Sequence, residues 1–454
     1  MNDKTSILAK LKEACSFDCK KKEAYGQIRI IESRWDGDKQ VEIKAEISLI
    51  NSDMINLELE YLATENPLLY FYEFSGEAKV DLDKYHMPTM PFFFEEWNRL
   101  YGGMAKVTIY TEDEFTRSQN EDNQNGIGQI CFYGELLFAM SPAIAKKSVI
   151  VIEDIARNKE LYKLYDIYNE VIEKNSIVLN NEIADKLNEI FDEGITDAKI
   201  DIYNVAQANF INCILNNKKN VLFDVGVTRS KSDRESKAVQ ASLNEISKLL
   251  INGIILSHWD LDHILGIAYA HNTAKDCTWI APDFRKLYDA KKYPLSVLRL
   301  CNYLIRNGKG CVCLVDTSQN NKQFYVSKDN KISIWLGEPK SSNGINRANN
   351  GGLLLKIENV KSILLTGDCE NNIHPINLYS SKLDYIVVPH HGSLMSSPKA
   401  KGKNDAIAYV NYGNKRGHCN LDINLFHKYK SNNFKKIYRT NKLNVRNIKY
   451  TVIL

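Results

Sequence analysis

No stretch of this chain is apolar enough to cross a bilayer, and its opening residues Met1-Asn2-Asp3-Lys4 lead into no signal-peptide core. The expectation is a cytoplasmic protein with no membrane partner. Paired cysteine quartets are missing as well. Ten cysteines are scattered along the chain, and the only close pairs, Cys15 with Cys19 and Cys311 with Cys313, have no partner pair at zinc-finger spacing. They read as reduced thiols, mostly small core residues. A dominant charge of one sign is also absent, since the net charge is only +3. That balance conceals an asymmetry. Between Lys399 and Leu454 thirteen Lys/Arg face only Asp405 and Asp422, whereas Val151 to Ile200 carries twelve Asp/Glu against six Lys/Arg. A basic end suits an anionic substrate such as a phosphodiester polymer, although a solvated lysine-rich surface has the same composition.

With 454 residues, the chain exceeds one ordinary core, so two domains are expected. Residues 1–20 pattern as a short helix with Ile7, Leu8 and Leu11 on one face. Val41, Ile43, Ala45, Ile47 and Leu49 then alternate with polar residues, the period of a half-buried strand, and Asp36-Gly37 is a hairpin signal joining it to Gln27–Trp35. Further strand-like runs fall at Leu57–Leu62, Leu68–Phe74, Met104–Tyr110, Ile127–Phe138 and Ser148–Ile152. Short strands without long helices between them predict an antiparallel sheet or sandwich over residues 1–155. Nothing there looks catalytic. His86 is isolated, and Phe92, Phe93, Phe94 and Trp97 read as core. Partner docking or binding is the expected role of this mostly-β domain. From Asn158 the spacing turns helical, and residues 156–197 read as a connector of two acidic amphipathic helices ending near Gly194. Residues 198–454 form the remaining domain.

The chemistry concentrates in Ile254-Ile255-Leu256-Ser257-His258-Trp259-Asp260-Leu261-Asp262-His263. An apolar strand here runs into two histidines and two aspartates within six positions. Such a strand delivers N and O ligands to a sheet edge, and a cluster this dense calls for a cation. Three further segments follow in chain order: Leu364-Leu365-Thr366-Gly367-Asp368, Val387-Val388-Pro389-His390-His391-Gly392-Ser393, and Tyr412-Gly413-Asn414-Lys415-Arg416-Gly417-His418.

Together these segments resemble the metallo-β-lactamase fold, and within it the soluble hydrolase domain of ComEC/Rec2-type DNA-uptake proteins. The channel's membrane segments are lacking, so DNA uptake is not implied. The common signature His-x-His-x-Asp-His stands here with Asp260 at the second histidine. The resemblance implies an α/β fold: a four-layer αβ/βα sandwich in the C-terminal half, after the mostly-β domain and the helical connector. It also implies metal ligands His258, Asp260, Asp262, His263, Asp368, His391 and His390, with Asp368 bridging two ions. Asp224, in Phe223-Asp224-Val225-Gly226, would hold the ligand loops by hydrogen bonds. Neighbouring side chains on extended backbone diverge, so His391 is the expected ligand of its pair, leaving His390 for substrate or support. Val205-Ala206-Gln207-Ala208-Asn209 resembles the family's Val-Gly-Gln-Gly-Asp turn with alanine at both glycines and Asn209 for aspartate. Alanine lacks glycine's freedom at positive φ, so a reshaped turn is expected.

The reaction expected from these residues is phosphodiester hydrolysis by water activated on two divalent ions, Zn²⁺ or Mn²⁺. Asp260 hardens the site towards Mn²⁺ or Mg²⁺. Asp262, His418 and His390 are the expected catalytic groups, with His418 as ligand or proton donor and Lys415, Arg416 and Ser393 contacting substrate. Between Phe284 and Ile305 two helical runs carry Arg285, Lys286, Lys291, Lys292 and Arg299, which either track a phosphate backbone or form a solvated face. A nuclease is the leading reading. The alternatives are hydrolysis of a small cyclic nucleotide or phosphoester, and a metal-binding regulatory or effector subunit of a multi-protein system such as a bacterial defence system.

Overall fold

In the computed structural model, residues 21–35, 40–51, 55–56, 59, 71–81, 104–121, 131–139, 143–155, 158–191, 194–287, 293–318, 322–339, 346–393, 397–413 and 423–454 are described. The helix expected over 1–20, the Asp36-Gly37 turn, His86 and the Phe92–Trp97 aromatics lie outside them. Two compact units emerge: Met1–Lys174 with Ala290–Arg306, and Asn175–Asp289 with Asn307–Leu454.

Alternating apolar residues build the first unit. Strands β1 (Lys21–Trp35), β2 (Gln40–Asn51), β3 (Phe71–Asp81), β4 (Met104–Thr111), β5 (Cys131–Ala139) and β6 (Ala143–Ile155) form a closed barrel in the order β1-β2-β3-β5-β6-β4. Val41, Ile43, Ala45, Ile47 and Leu49 are all fully buried. On the other face, Glu42 pairs with Lys79 and Lys44 with Glu77 directly across β2 and β3. The expected sheet or sandwich is thus a barrel, because β4 pairs with β1 on one side and β6 on the other. The strand expected over 57–62 is not seen where that span is described, since Leu59 is helical.

Helix Leu295–Asn307 also contributes to this unit, although more than a hundred residues separate it from β6 in the chain. Leu295, Val297, Leu298, Leu300, Cys301 and Leu304 are buried. The Gln27 side-chain carbonyl accepts from both Leu295 N and Tyr165 Oη, and Asn302 donates to Tyr168 O. Arg299, one of the cations weighed for phosphate contact, is instead buried and donates to Leu49 O at 3.2 Å. Arg285 is held in a two-pronged bond to Asp283. Lys291 and Lys292 lie outside the described residues.

The second unit consists of two seven-stranded sheets. One contains β7 (Ala198–Tyr203), β8 (Phe210–Leu215), β9 (Lys219–Val225), β10 (Gly253–Ile255), β11 (Thr278–Pro282), β12 (Val312–Val315) and β20 (Lys449–Ile453), ordered β12-β11-β10-β9-β8-β7-β20. Residues 204–209 form the turn between β7 and β8. The other sheet runs in chain order from β13 (Gln323–Val326), β14 (Ile332–Leu336), β15 (Leu353–Glu358) and β16 (Ser362–Leu365) to β17 (Leu383–Val387), β18 (Gly402–Val410) and β19 (Phe434–Arg439). Its inner strands β14, β15 and β16 are apolar on both faces. Leu353, Leu355, Leu365 and Val387 pack between the sheets with Ile200, Phe223, Ile255 and Ile280. Leu354, Leu364, Ile386 and Ala408 pack on the opposite side with Tyr429 from helix Ile423–Ser431. Burial on both faces is why these strands read as continuous apolar runs. Helix Lys159–Asn175 falls in the first unit save for its last residue, whereas helix Asn180–Phe191 packs into the inter-sheet core through Ile183, Leu187, Ile190 and Phe191. The fold is a mixed α/β sandwich preceded by a β-rich region. Among the described residues no helix is long and apolar enough to cross a membrane.

Candidate metal centre

Strands β9, β10, β16, β17 and β18 release the chain at the same end of the two sheets, where α/β proteins gather ligands. Asp224 lies at the end of β9, in the left-handed region at φ 62° that aspartate tolerates. Its carboxylate accepts from Ser257 N at 2.6 Å, Ser257 Oγ at 2.8 Å and His263 Nδ1 at 2.8 Å. That set of bonds ties β9 to the segment after β10. Two glycines permit the close approach: a Cβ on Gly226 would fall 1.7 Å from Asp262 O, and one on Gly367, at φ 55°, would fall 2.4 Å from Ser257 Cβ.

Three histidines share one arrangement. His263 Nδ1 faces Asp224 and His391 Nδ1 faces Asn411 O at 3.2 Å, both acceptors, so each Nδ1 carries the proton. His258 Nδ1 lies 3.0 Å from Ser257 Oγ, whose own hydrogen goes to Asp224. Every Nε2 therefore points to the centre. His258 Nε2 lies 3.6 Å from Asp260 and 4.0 Å from Asp368. His263 Nε2 is 3.2 Å from Asp368 Oδ1, and His391 Nε2 is 3.2 Å from Asp262 Oδ2 and 3.8 Å from Asp368 Oδ1. Donor atoms group as His258, His263 and Asp368, and as Asp262, His263 and His391, each set within 4.8 Å.

The site fits a cation. Among the described residues, His258 Nε2, His263 Nε2 and Asp368 Oδ1 are buried with no hydrogen-bond partner of good geometry, a costly state unless an ion binds them. Charge balance says the same. Burial pushes the Asp368 carboxyl up, but His263, His391 and His390 around it hold it well below the usual range. Burial likewise raises Asp262, and the His391 hydrogen bond with the neighbouring His263 and His391 charges outweighs it. His263, lowered by burial, is raised further by Asp368 and Asp224. Protons on imidazole thus offset carboxylate charge that a dication would offset in their place.

Asp260 precedes the short helix Leu261–Ile264 without capping it, and its carboxylate faces His258. His390 and His391 are not on extended backbone as expected: both are left-handed, at φ 48° and 52°, in a tight turn opened by Pro389. The turn buries His391 among the donors, while His390 is 27% exposed with Nε2 3.9 Å from Asp368. Ser393 closes the turn, its N–H donating to His390 O. Lys415, Arg416 and His418 lie outside the described residues.

The Val205–Asn209 turn keeps one alanine in the left-handed region. Ala206 takes φ 60° despite its Cβ, held by Asn204 Oδ1 accepting from Ala206 N at 3.2 Å. The strain is about 1 kcal/mol. Two residues escaped the motif reading: Asn411, a polar residue ending the apolar β18, and His374, buried beside Asp368's loop. A polar side chain at the end of a buried strand was the available signal.

A family model described as the metallo-beta-lactamase superfamily matches residues 206–291. The match thus lies within residues 198–454. Among solved structures, this chain is similar to a diphosphatase from the PhnP family at 10% identity, covering 54% of this chain and 86% of that one with a TM-score of 0.29. It is also similar to the flavodiiron protein from Giardia intestinalis at 11% identity, covering 40% of each chain with a TM-score of 0.23. No curated protein matches the sequence. The family match spans Asp224 and all four polar residues of the central cluster, while Asp368 and His391 come from the second sheet.

Proposed function

We propose that the metallo-β-lactamase domain is a metal-dependent phosphodiester hydrolase acting on nucleic acid. The observation that carries the metal-dependent part is the common orientation of the three histidines, each Nδ1 tied and each Nε2 turned to buried carboxylates. His258, Asp260, Asp262, His263, Asp368 and His391 would hold the metal, with His390 at its rim. Asp368, with two oxygens, is the residue able to reach two ions, whereas one imidazole nitrogen serves one. Divalent ions, Zn²⁺ or Mn²⁺, would supply a nucleophile at neutral pH by lowering the pKa of water, and charge to offset that forming on the leaving oxygen. The protein's share is orientation: Asp224 and Ser257 hold His258 and His263, and the Pro389 turn holds His391.

Support for a polymeric substrate comes from the basic C-terminal segment, where Lys435 and Lys436 are exposed on edge strand β19. Lys415 and Arg416 would contribute phosphate contacts, and His418 a proton donor. The barrel unit would recruit a partner or substrate, and the setting would be cytoplasmic.

The test pairs metal analysis of the purified chain with hydrolysis of an oligonucleotide and of bis(p-nitrophenyl) phosphate across Zn²⁺, Mn²⁺ and Mg²⁺. Asp262→Ala and His263→Ala should each bring both activities to background and reduce metal content. Wild-type turnover in either variant would remove the assignment. Cleavage of the small diester alone would turn the reading to a small-molecule hydrolase.

A further inference from the structure

Asp262 and His391 stand 3.2 Å apart, yet they belong to different sheets: Asp262 follows β10, and His391 follows β17. Something must set their separation. Asn209, just before β8, donates its backbone N–H to Asp262 O at 3.3 Å and accepts from Gly226 N at 2.7 Å. Its side-chain carbonyl accepts from the Asn411 amide. Asn411, just after β18, accepts His391 Nδ1–H on its backbone carbonyl. These contacts close a circuit from Asp262 backbone through Asn209, Asn411 and His391 to the Asp262 carboxylate. Both amides are almost fully buried, at 3% and 1% exposure, where a hydrogen bond is strong and losing it is costly.

We propose that Asn209 and Asn411 form an inter-sheet clasp, a pair of positioning residues that hold Asp262 and His391 at the spacing one divalent ion needs. The inference rests on the metal-dependent reading of the site. It explains why an amide is sufficient at 209. The clasp requires an acceptor there and a donor at 411, and an uncharged acceptor avoids a further carboxylate next to the Asp262 segment. The roles are therefore unequal. Asn209→Asp keeps the acceptor, whereas Asn411→Asp removes the donor and sets a carboxylate against the Asn209 carbonyl.

The experiment titrates chelator-treated full-length protein with Mn²⁺ and with Zn²⁺ by calorimetry, and checks folding by thermal melting without metal. Asn209→Ala and Asn411→Asp should bind about 10–100-fold more weakly than wild type, the usual cost of losing a group that orients a ligand. Asn209→Asp should bind at least as tightly as wild type. Asn411→Ala should weaken binding as Asn209→Ala does, and the Asn209→Ala/Asn411→Ala pair should be no weaker than either, since the same interaction is lost in all three. Should Asn209→Ala fail to fold, the nearly isosteric Asn209→Asp and Asn411→Asp decide. A purely structural role would lower all melting temperatures and leave affinities equal, which would overturn the clasp alone. A wild type that binds neither ion would overturn the metal-dependent reading and the clasp with it.

Discussion

The barrel and the sandwich are both built from apolar strands, but only the sandwich gathers chemistry at one end. In the barrel every pairing is antiparallel. Neighbouring strands therefore finish at opposite rims, and polar residues at their ends are dispersed. In the sandwich β9 pairs parallel with β10, and β16, β17 and β18 run parallel to one another. Their C-terminal ends coincide, and each delivers a member of the site: Asp224, His258 with Asp262 and His263, Asp368, His391 and Asn411. Closure reinforces the contrast, since a barrel hides its edges whereas the sandwich leaves β19 open.

That contrast would break most severely if the two units proved independent in solution. Helix Leu295–Asn307 completes the barrel unit although the chain reaches it from the sandwich. A fragment starting near Ile195 would expose Leu295, Val297, Leu298, Leu300, Cys301 and Leu304, a loss on the order of 10 kcal/mol in burial. It should aggregate, and replacing 290–306 with a short polar linker should restore solubility. A soluble, metal-binding fragment that retains the helix would show that the barrel is not its necessary partner.

A smaller effect tests the sandwich alone. His374 is buried, donates Nε2–H to Cys369 O and accepts from Tyr379 Oη, which braces the loop after Asp368. Burial lowers its pKa to about 4, with Lys399 adding to the fall and the Cys369 carbonyl opposing it. Because the unfolded chain takes up the proton first, this histidine's stabilising contribution is intact above about pH 6.5 and is lost as pH falls through about 4. The contribution is on the order of 3 kcal/mol. Denaturant midpoints between pH 7 and 4 should fall more in wild type than in His374→Gln; parallel curves would mean the histidine titrates normally.

The smallest effect concerns the exposed edge. If Lys435 and Lys436 neutralise phosphates, replacing both with alanine should reduce the slope of log affinity on log salt by about 1.4 for single-stranded DNA. Replacing Lys44 and Lys79, which pair with glutamates on the barrel, should leave it unchanged. Equal slopes in both variants would make β19 a solvated surface and favour a small substrate.

The sandwich itself was implied only by the resemblance, but much of its site was legible in the sequence because that information is local. An apolar run followed within a few residues by His258-Trp259-Asp260-Leu261-Asp262-His263 states that ligands stand at a strand end, and period-2 burial states which residues face the core. The alternation at Val41–Leu49 did the same for the barrel's inner face. Local pattern also misled where backbone geometry was set by contacts: His390 and His391 diverge by a left-handed turn rather than by strand alternation, and Ala206 adopts a conformation its side chain disfavours. Decided only by the tertiary structure were the closure of the barrel by β4, the transfer of Leu295–Asn307 to that unit, and the meeting of Asn209 with Asn411. These are pairings between residues up to hundreds of positions apart, chosen by which buried surfaces and buried polar groups complete one another. Spacing along the chain carries no record of that choice.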